Sequence, residues 1–179
     1  MFELFLPFIS LVLILISIVL LIWRINTRKF VSSGTVASAY DSWTQDKLLE
    51  RLWGEHIHLG FYPPDQKNID FRKAKVQLVH ELVVWSGLDK LPRGSRILDV
   101  GCGIGGSSRI LAKYYGFNVT GITISPAQVR RAIELTPSNL NCNFQVMDAM
   151  DLKFEDGTFD GIWSVEAGAH MKNKSNFAN

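Results

Sequence analysis

At 179 residues the chain is long enough for one domain and an attachment. A net charge of +2, with no basic stripe interleaved by aromatics, argues against a nucleic-acid binder. Two cysteines, Cys102 and Cys142, exclude a disulfide scaffold and form no metal pattern, so they are read as reduced thiols.

Residues 4–23 carry no charge, which matches the length needed to cross a bilayer core of about 30 Å at about 1.5 Å per residue. Glu3 precedes this run, Arg24, Arg28 and Lys29 follow it, and no small-residue cleavage site is present. That pattern predicts a retained single-pass transmembrane helix with the rest of the chain on the cytoplasmic side of the membrane. Residues 30–35 read as a polar linker and residues 36–53 as a helix. Residues 54–65 hold Pro63 and Pro64 and read as a loop. Residues 71–85 are an amphipathic helix with Val76, Val79, Leu82 and Val83 on one side, stopped by Gly87.

A βα alternation follows. Strands are expected at 96–100, 118–124, 143–146 and 159–165, with helices at 107–115 and 126–135. Ser125 is placed as the N-cap of the second helix, with Pro126 at its first position. This order predicts a parallel sheet with right-handed crossovers. Four strands would leave the last with an unpaired apolar edge, so the sequence reads as truncated after strand four. The expected divisions are an anchor over 1–29, a helical cap over 30–92 and a cofactor-binding domain over 93–179.

The most informative stretch is the end of the first strand. Gly101, Gly103, Gly105 and Gly106 fall within six positions after Asp99 and Val100, just before a helix. Such a turn brings bare main-chain amides against a ligand. The glycines alone also fit a dinucleotide site. Three details favour S-adenosylmethionine instead. Asp99 lies two residues before the first glycine, where a carboxylate can meet an ammonium group. Strand two ends at Gly121-Ile-Thr-Ile-Ser125 without the acid that clamps a nicotinamide dinucleotide's ribose. Asp148-Ala149 follows strand three, where an acid can meet the adenine amino group.

These motifs resemble the class I S-adenosylmethionine-dependent methyltransferases, in Leu98-Asp-Val-Gly-Cys-Gly-Ile-Gly-Gly106 and in the acidic stretch from Asp148 to Asp160. Tyr40-Asp41, the run from Trp53 to Tyr62, Gly121-Ile-Thr-Ile-Ser-Pro126 and Val165-Glu-Ala-Gly-Ala-His-Met171 are similar to the tocopherol-pathway branch, cyanobacterial members most of all. The resemblance implies an α/β fold with a Rossmann-like sheet, a helical cap and S-adenosyl-L-methionine as cofactor. It implies transfer of a methyl group to a ring carbon of a lipid-soluble prenylated quinol, in the plasma or thylakoid membrane. Methylation of a chromanol, a sterol or a phospholipid head group, and a non-catalytic cofactor-binding role, stand as alternatives. Thr123 departs from the wider class, which commonly carries an acid there.

The cofactor-binding candidates are Asp99, Gly101, Cys102, Gly103, Gly105, Gly106, Thr123, Ile124, Asp148 and Ala149, with Ile104 as a further lining residue. Asp148 is alternatively a turn residue. The catalytic candidates are His170 and Glu166, which follow strand four at the carboxyl end of the sheet. A histidine there suits deprotonation of a phenol. His56 and His58 point to one side of an extended segment and read as lid residues or as packing; no third ligand supports a metal there. His80, Trp43, Trp53, Trp85 and Trp163 read as structural.

Overall fold

The computed structural model describes residues 12–20, 33–66 and 68–178. Two compact units divide the chain, Met1–Ser32 and Ser33–Asn179. In the first, residues 12–20 form helix α1, in which the Ser17 hydroxyl donates to Leu13 O at 2.8 Å. The expected transmembrane span requires correction. Among the described residues no helix is long and apolar enough to cross a membrane. The remainder of the predicted span, 4–11 and 21–23, lies outside the described residues. The membrane location and its cytoplasmic catalytic side, which rested on that span, fall with it.

The second unit begins with α2 (Ser33–Gln45) and α3 (Leu48–Trp53) where one helix was expected. Lys47 adopts a left-handed φ of 54° and separates them. The hydroxyls of Ser42 and Thr44 bond back to the carbonyls of residues 38 and 40, a habit that weakens a helix from within. Helix α4 (Phe71–Ser86) starts at Asp70, whose carboxylate accepts from the amides of Arg72 and Lys73, and ends at Gly87.

The sheet is fully parallel, in the order β3-β2-β1-β4, from β1 (Arg96–Val100), β2 (Asn118–Thr123), β3 (Cys142–Val146) and β4 (Gly161–Trp163). Alternation along β1 sorts its two faces. Ile97 packs with Val79 and Val83 of α4 and with Ile110 and Leu111. Leu98 and Val100 face the other way, with Ile122, toward Phe154, Phe159 and Phe177. Between β1 and β2 run α5 (Gly106–Ile110) and a π-helical continuation over Leu111–Tyr115. Helix α6 (Pro126–Leu135) packs Val129 and Ala132 against Phe144 of β3.

Strand β4 is shorter than expected. After Ser164, whose hydroxyl donates to Val100 O, Glu166 turns to φ 57° and a 3₁₀ turn follows over Ala167–His170. A short helix α7 (Lys174–Ala178) ends the described chain. Trp163 is buried, whereas Trp43, Trp53 and Trp85 are 46%, 50% and 84% exposed, so packing accounts fully for only the first. His80 is structural in the expected sense, hydrogen-bonded through Nδ1 to the Tyr115 hydroxyl at 2.8 Å.

Candidate active site

The strand order reverses between β1 and β4, and ligands of open parallel sheets bind at such a switch point. Two segments leave the sheet there: the glycine turn after β1 and the segment holding Glu166 and His170 after β4. They touch. Gly101 has φ 78°, and a Cβ there would sit 2.5 Å from Ala167 Cβ. Gly103 and Gly105 also have positive φ. A Cβ at Gly103 would meet nothing within 4 Å, so the turn is open on that side. At Gly106 it would meet Glu55 O at 2.6 Å and the His56 ring at 2.8 Å. Residues 55 and 56 therefore lie directly on the start of α5.

Asp99 does not open into the turn. It is 2% exposed, and its Oδ2 accepts from the Ser108 hydroxyl at 2.5 Å. Burial raises its carboxyl from an ordinary value near 3.8 to about 6, against the opposing pull of that hydrogen bond. Between those values the folded state binds more protons than the unfolded one, so this group's contribution to stability falls as pH rises from about 4 to about 6. Asp99→Asn removes that slope, which urea unfolding at pH 4 and pH 7 would read as a smaller stability difference than in the wild type.

Cys102 is buried and desolvation holds its thiol well above the ordinary range, so it lines the turn as an unreactive side chain. Ile104 is buried, and its carbonyl accepts from Arg109 at 2.8 Å. Ile124 and Ala149 are half-buried at the carboxyl ends of β2 and β3. The Asp148 carboxylate accepts from Met150 N at 2.9 Å, shaping the turn after β3.

Thr123 is buried with its hydroxyl donating to Gln128 Oε1 at 2.6 Å. Ser125 caps α6 as expected, accepting from Gln128 N at 3.1 Å. Sequence reasoning missed Gln128, although the Ser-x-x-Gln spacing of a capping box marks it. It named Asp41 only as part of a motif and gave it no role; its Oδ1 accepts from Ser125 Oγ at 2.5 Å and Ala127 N at 3.0 Å. The cap thus places a carboxylate at the carboxyl end of β2. Asp41→Ala loses both contacts and should cost about 1–2 kcal/mol of stability, measured by urea unfolding.

Further ties fasten the cap over the sheet edge. Arg131 pairs with Glu50 at 2.6 and 2.8 Å. Buried Arg109 binds Glu55 at 2.6 Å as well as Ile104 O, joining the cap to the glycine turn. Glu166 Oε1 accepts from Leu59 N at 3.0 Å. The left-handed backbone of Glu166, uncommon for a residue with a side chain, serves that reach. The Tyr40 hydroxyl lies 2.9 Å from His170 Nε2, with the rings edge to face at 5.5 Å. Burial raises the Tyr40 phenol, keeping it protonated. His56 and His58 bond to each other rather than diverging toward a shared ion.

A family model described as a methyltransferase domain matches residues 97–178. The 2-methyl-6-phytyl-1,4-hydroquinone methyltransferase of Synechocystis sp. is 59% identical over 159 residues, 88% of this chain and 49% of that protein. The chain belongs to the S-adenosylmethionine-dependent methyltransferases. The chloroplastic tocopherol O-methyltransferase of Arabidopsis thaliana is 41% identical over 140 residues, 73% of this chain and 40% of that protein. The chain thus spans about half the length of the curated relatives it matches. Among solved structures, the [4+2]-cyclase SpnF superposes with a TM-score of 0.71 at 28% identity, over 82% of this chain and 54% of that one. A cyclase on the same frame shows that the reaction is decided by the site, not by the sheet.

Proposed function

We propose that the protein transfers a methyl group from S-adenosylmethionine to a ring carbon of a prenylated benzoquinol. One observation carries this reading. The open glycine turn and the Tyr40–His170 pair flank the same switch point, in a chain 59% identical to a phytyl hydroquinone methyltransferase.

The residues present fit an S-adenosyl group. The turn from Gly101 to Gly106 offers main-chain amides to its amino-acid end. Thr123 and Gln128, at the end of β2, receive the ribose end in place of the missing acid, with Ile104 and Ile124 as further lining residues. Asp148 and Ala149 receive the adenine. When bound, the donor supplies an electrophilic methyl on a cationic sulfur. The protein's part is to orient a ring carbon toward it and to raise that carbon's electron density.

His170 does the second by accepting the proton of the neighbouring ring hydroxyl. The Tyr40 hydroxyl orients the ring at Nε2; in the tautomer whose Nε2–H donates to it, Nδ1 keeps its lone pair for that proton. Glu166, committed to Leu59 N, acts by holding the strap over residues 53–59 rather than by taking a proton.

The test is a side-by-side assay of labelled methyl transfer to 2-methyl-6-phytylbenzoquinol and to γ-tocopherol. The proposal predicts faster transfer to the benzoquinol. Transfer only to the chromanol would favour the activity named for the Arabidopsis relative, and transfer to neither would reject the proposal.

A further inference from the structure

We infer that His56 is a binding residue for the methyl donor, its Nε2 lone pair receiving the α-ammonium group of the donor's amino-acid end beside Gly106. The inference rests on the proposed use of S-adenosylmethionine and deepens it.

The position of the protons follows from a chain of hydrogen bonds. Leu59 O can only accept, so His58 Nδ1, 2.8 Å away, carries a proton. In neutral His58 the other nitrogen, Nε2, is then bare. His56 Nδ1 lies 3.0 Å from it and must donate. The proton of His56 is thereby held on Nδ1, and its Nε2 is an acceptor. Neutrality of both rings has a physical cause. Burial lowers both, His56 to about 3, and the cations of Arg109 and Lys75 push His56 the same way. Glu166 opposes the shift of His58 without reversing it, and Glu55 is already paired with Arg109.

The ring is also in the right place. Its Nδ1–Cε1 edge lies against Gly106, at 2.9 and 2.8 Å from where a Cβ would stand. Nε2 is bonded to the Cε1 that makes that contact, beside the last glycine of the turn. The strap that carries the ring is fixed. Lys75 Nζ donates to Trp53 O at 3.1 Å and His56 O at 2.8 Å, while the Glu55–Arg109 and Glu166–Leu59 contacts hold either side.

Chemistry then selects the group. A bare imidazole nitrogen repels a carboxylate and accepts from a cationic N–H. The sequence offers Asp99 for the ammonium, but that carboxylate is buried on Ser108. With Asp99 turned away, His56 supplies a side-chain acceptor for the ammonium beside the turn's own carbonyls. An α-amino acid carries its carboxylate within about 3 Å of its ammonium, so amides at the turn and the imidazole beside them can take both ends together.

The test compares three ligands by calorimetry: S-adenosylhomocysteine, its analogue lacking the α-amino group, and 5′-methylthioadenosine, which lacks the whole amino-acid tail. The wild type should prefer S-adenosylhomocysteine over the deaminated analogue by roughly tenfold or more, the worth of one charge-assisted hydrogen bond. His56→Phe should lose that preference while keeping its affinity for 5′-methylthioadenosine. His56→Gln, whose amide oxygen can stand near the position of Nε2, should restore part of it. An unchanged preference in His56→Phe would overturn the inference. Equal loss of all three ligands would overturn it too, because it marks a purely structural ring. A wild-type protein that binds none of them would reject the cofactor reading itself, a result distinct from the other two.

Discussion

Gly101→Ala should weaken S-adenosylhomocysteine binding by more than about tenfold, and Ala167→Gly in the same chain should recover part of the loss. Two separate penalties meet at residue 101. The backbone sits at φ 78°, a region costing a side-chain-bearing residue about 1–2 kcal/mol. The new methyl would also lie 2.5 Å from Ala167 Cβ, an overlap that forces the post-β4 segment away from the glycine turn. Removing the Ala167 methyl relieves the second penalty and leaves the first. Calorimetry of the single and double variants separates them. Normal binding by Gly101→Ala would show that the two segments do not form one site. A double variant no better than the single would place the damage in the turn alone.

His170→Ala should lower kcat by about a hundredfold or more while leaving S-adenosylhomocysteine affinity within about twofold, because the proposed role of the imidazole is on the quinol and not on the donor. Tyr40→Phe should lower kcat in the same direction by a smaller factor, since it removes the group that orients the ring and not the ring itself. The double variant should be little worse than His170→Ala, as expected of residues acting as one unit. Steady-state rates with the benzoquinol, set beside donor affinities, read all three. Additive losses would mean that Tyr40 has a function of its own. A fall in donor affinity matching the fall in kcat would make His170 a residue of the cofactor site.

What could be seen in the amino-acid order was local. The glycine turn, the Ser125 cap and the βα alternation each depend on neighbours a few residues apart, and each stands where it was expected. The ties that complete the site are long-range. Asp41 meets Ser125 across 84 positions, Glu55 meets Arg109 across 54, and Tyr40 meets His170 across 130. No periodicity encodes such pairs; they follow from folding the cap onto the sheet. Asp99 shows the reverse difficulty. Its spacing from the first glycine suggests a ligand, whereas the alternation of β1 turns it inward onto α5, where Ser108 meets it. The uncharged run over residues 4–23 offered the length of a membrane span, yet among the described residues no helix is long and apolar enough to cross a membrane.

The central claim is that a methyl donor sits on the glycine turn at the β1–β4 switch point. Titrating S-adenosylhomocysteine into ¹⁵N-labelled protein tests it most directly. Saturable shifts should appear at the amides of Gly101, Gly103, Gly105 and Gly106, and at Gln128 beside Thr123. A folded protein whose glycine-turn amides stay still while the ligand is in excess would contradict the account.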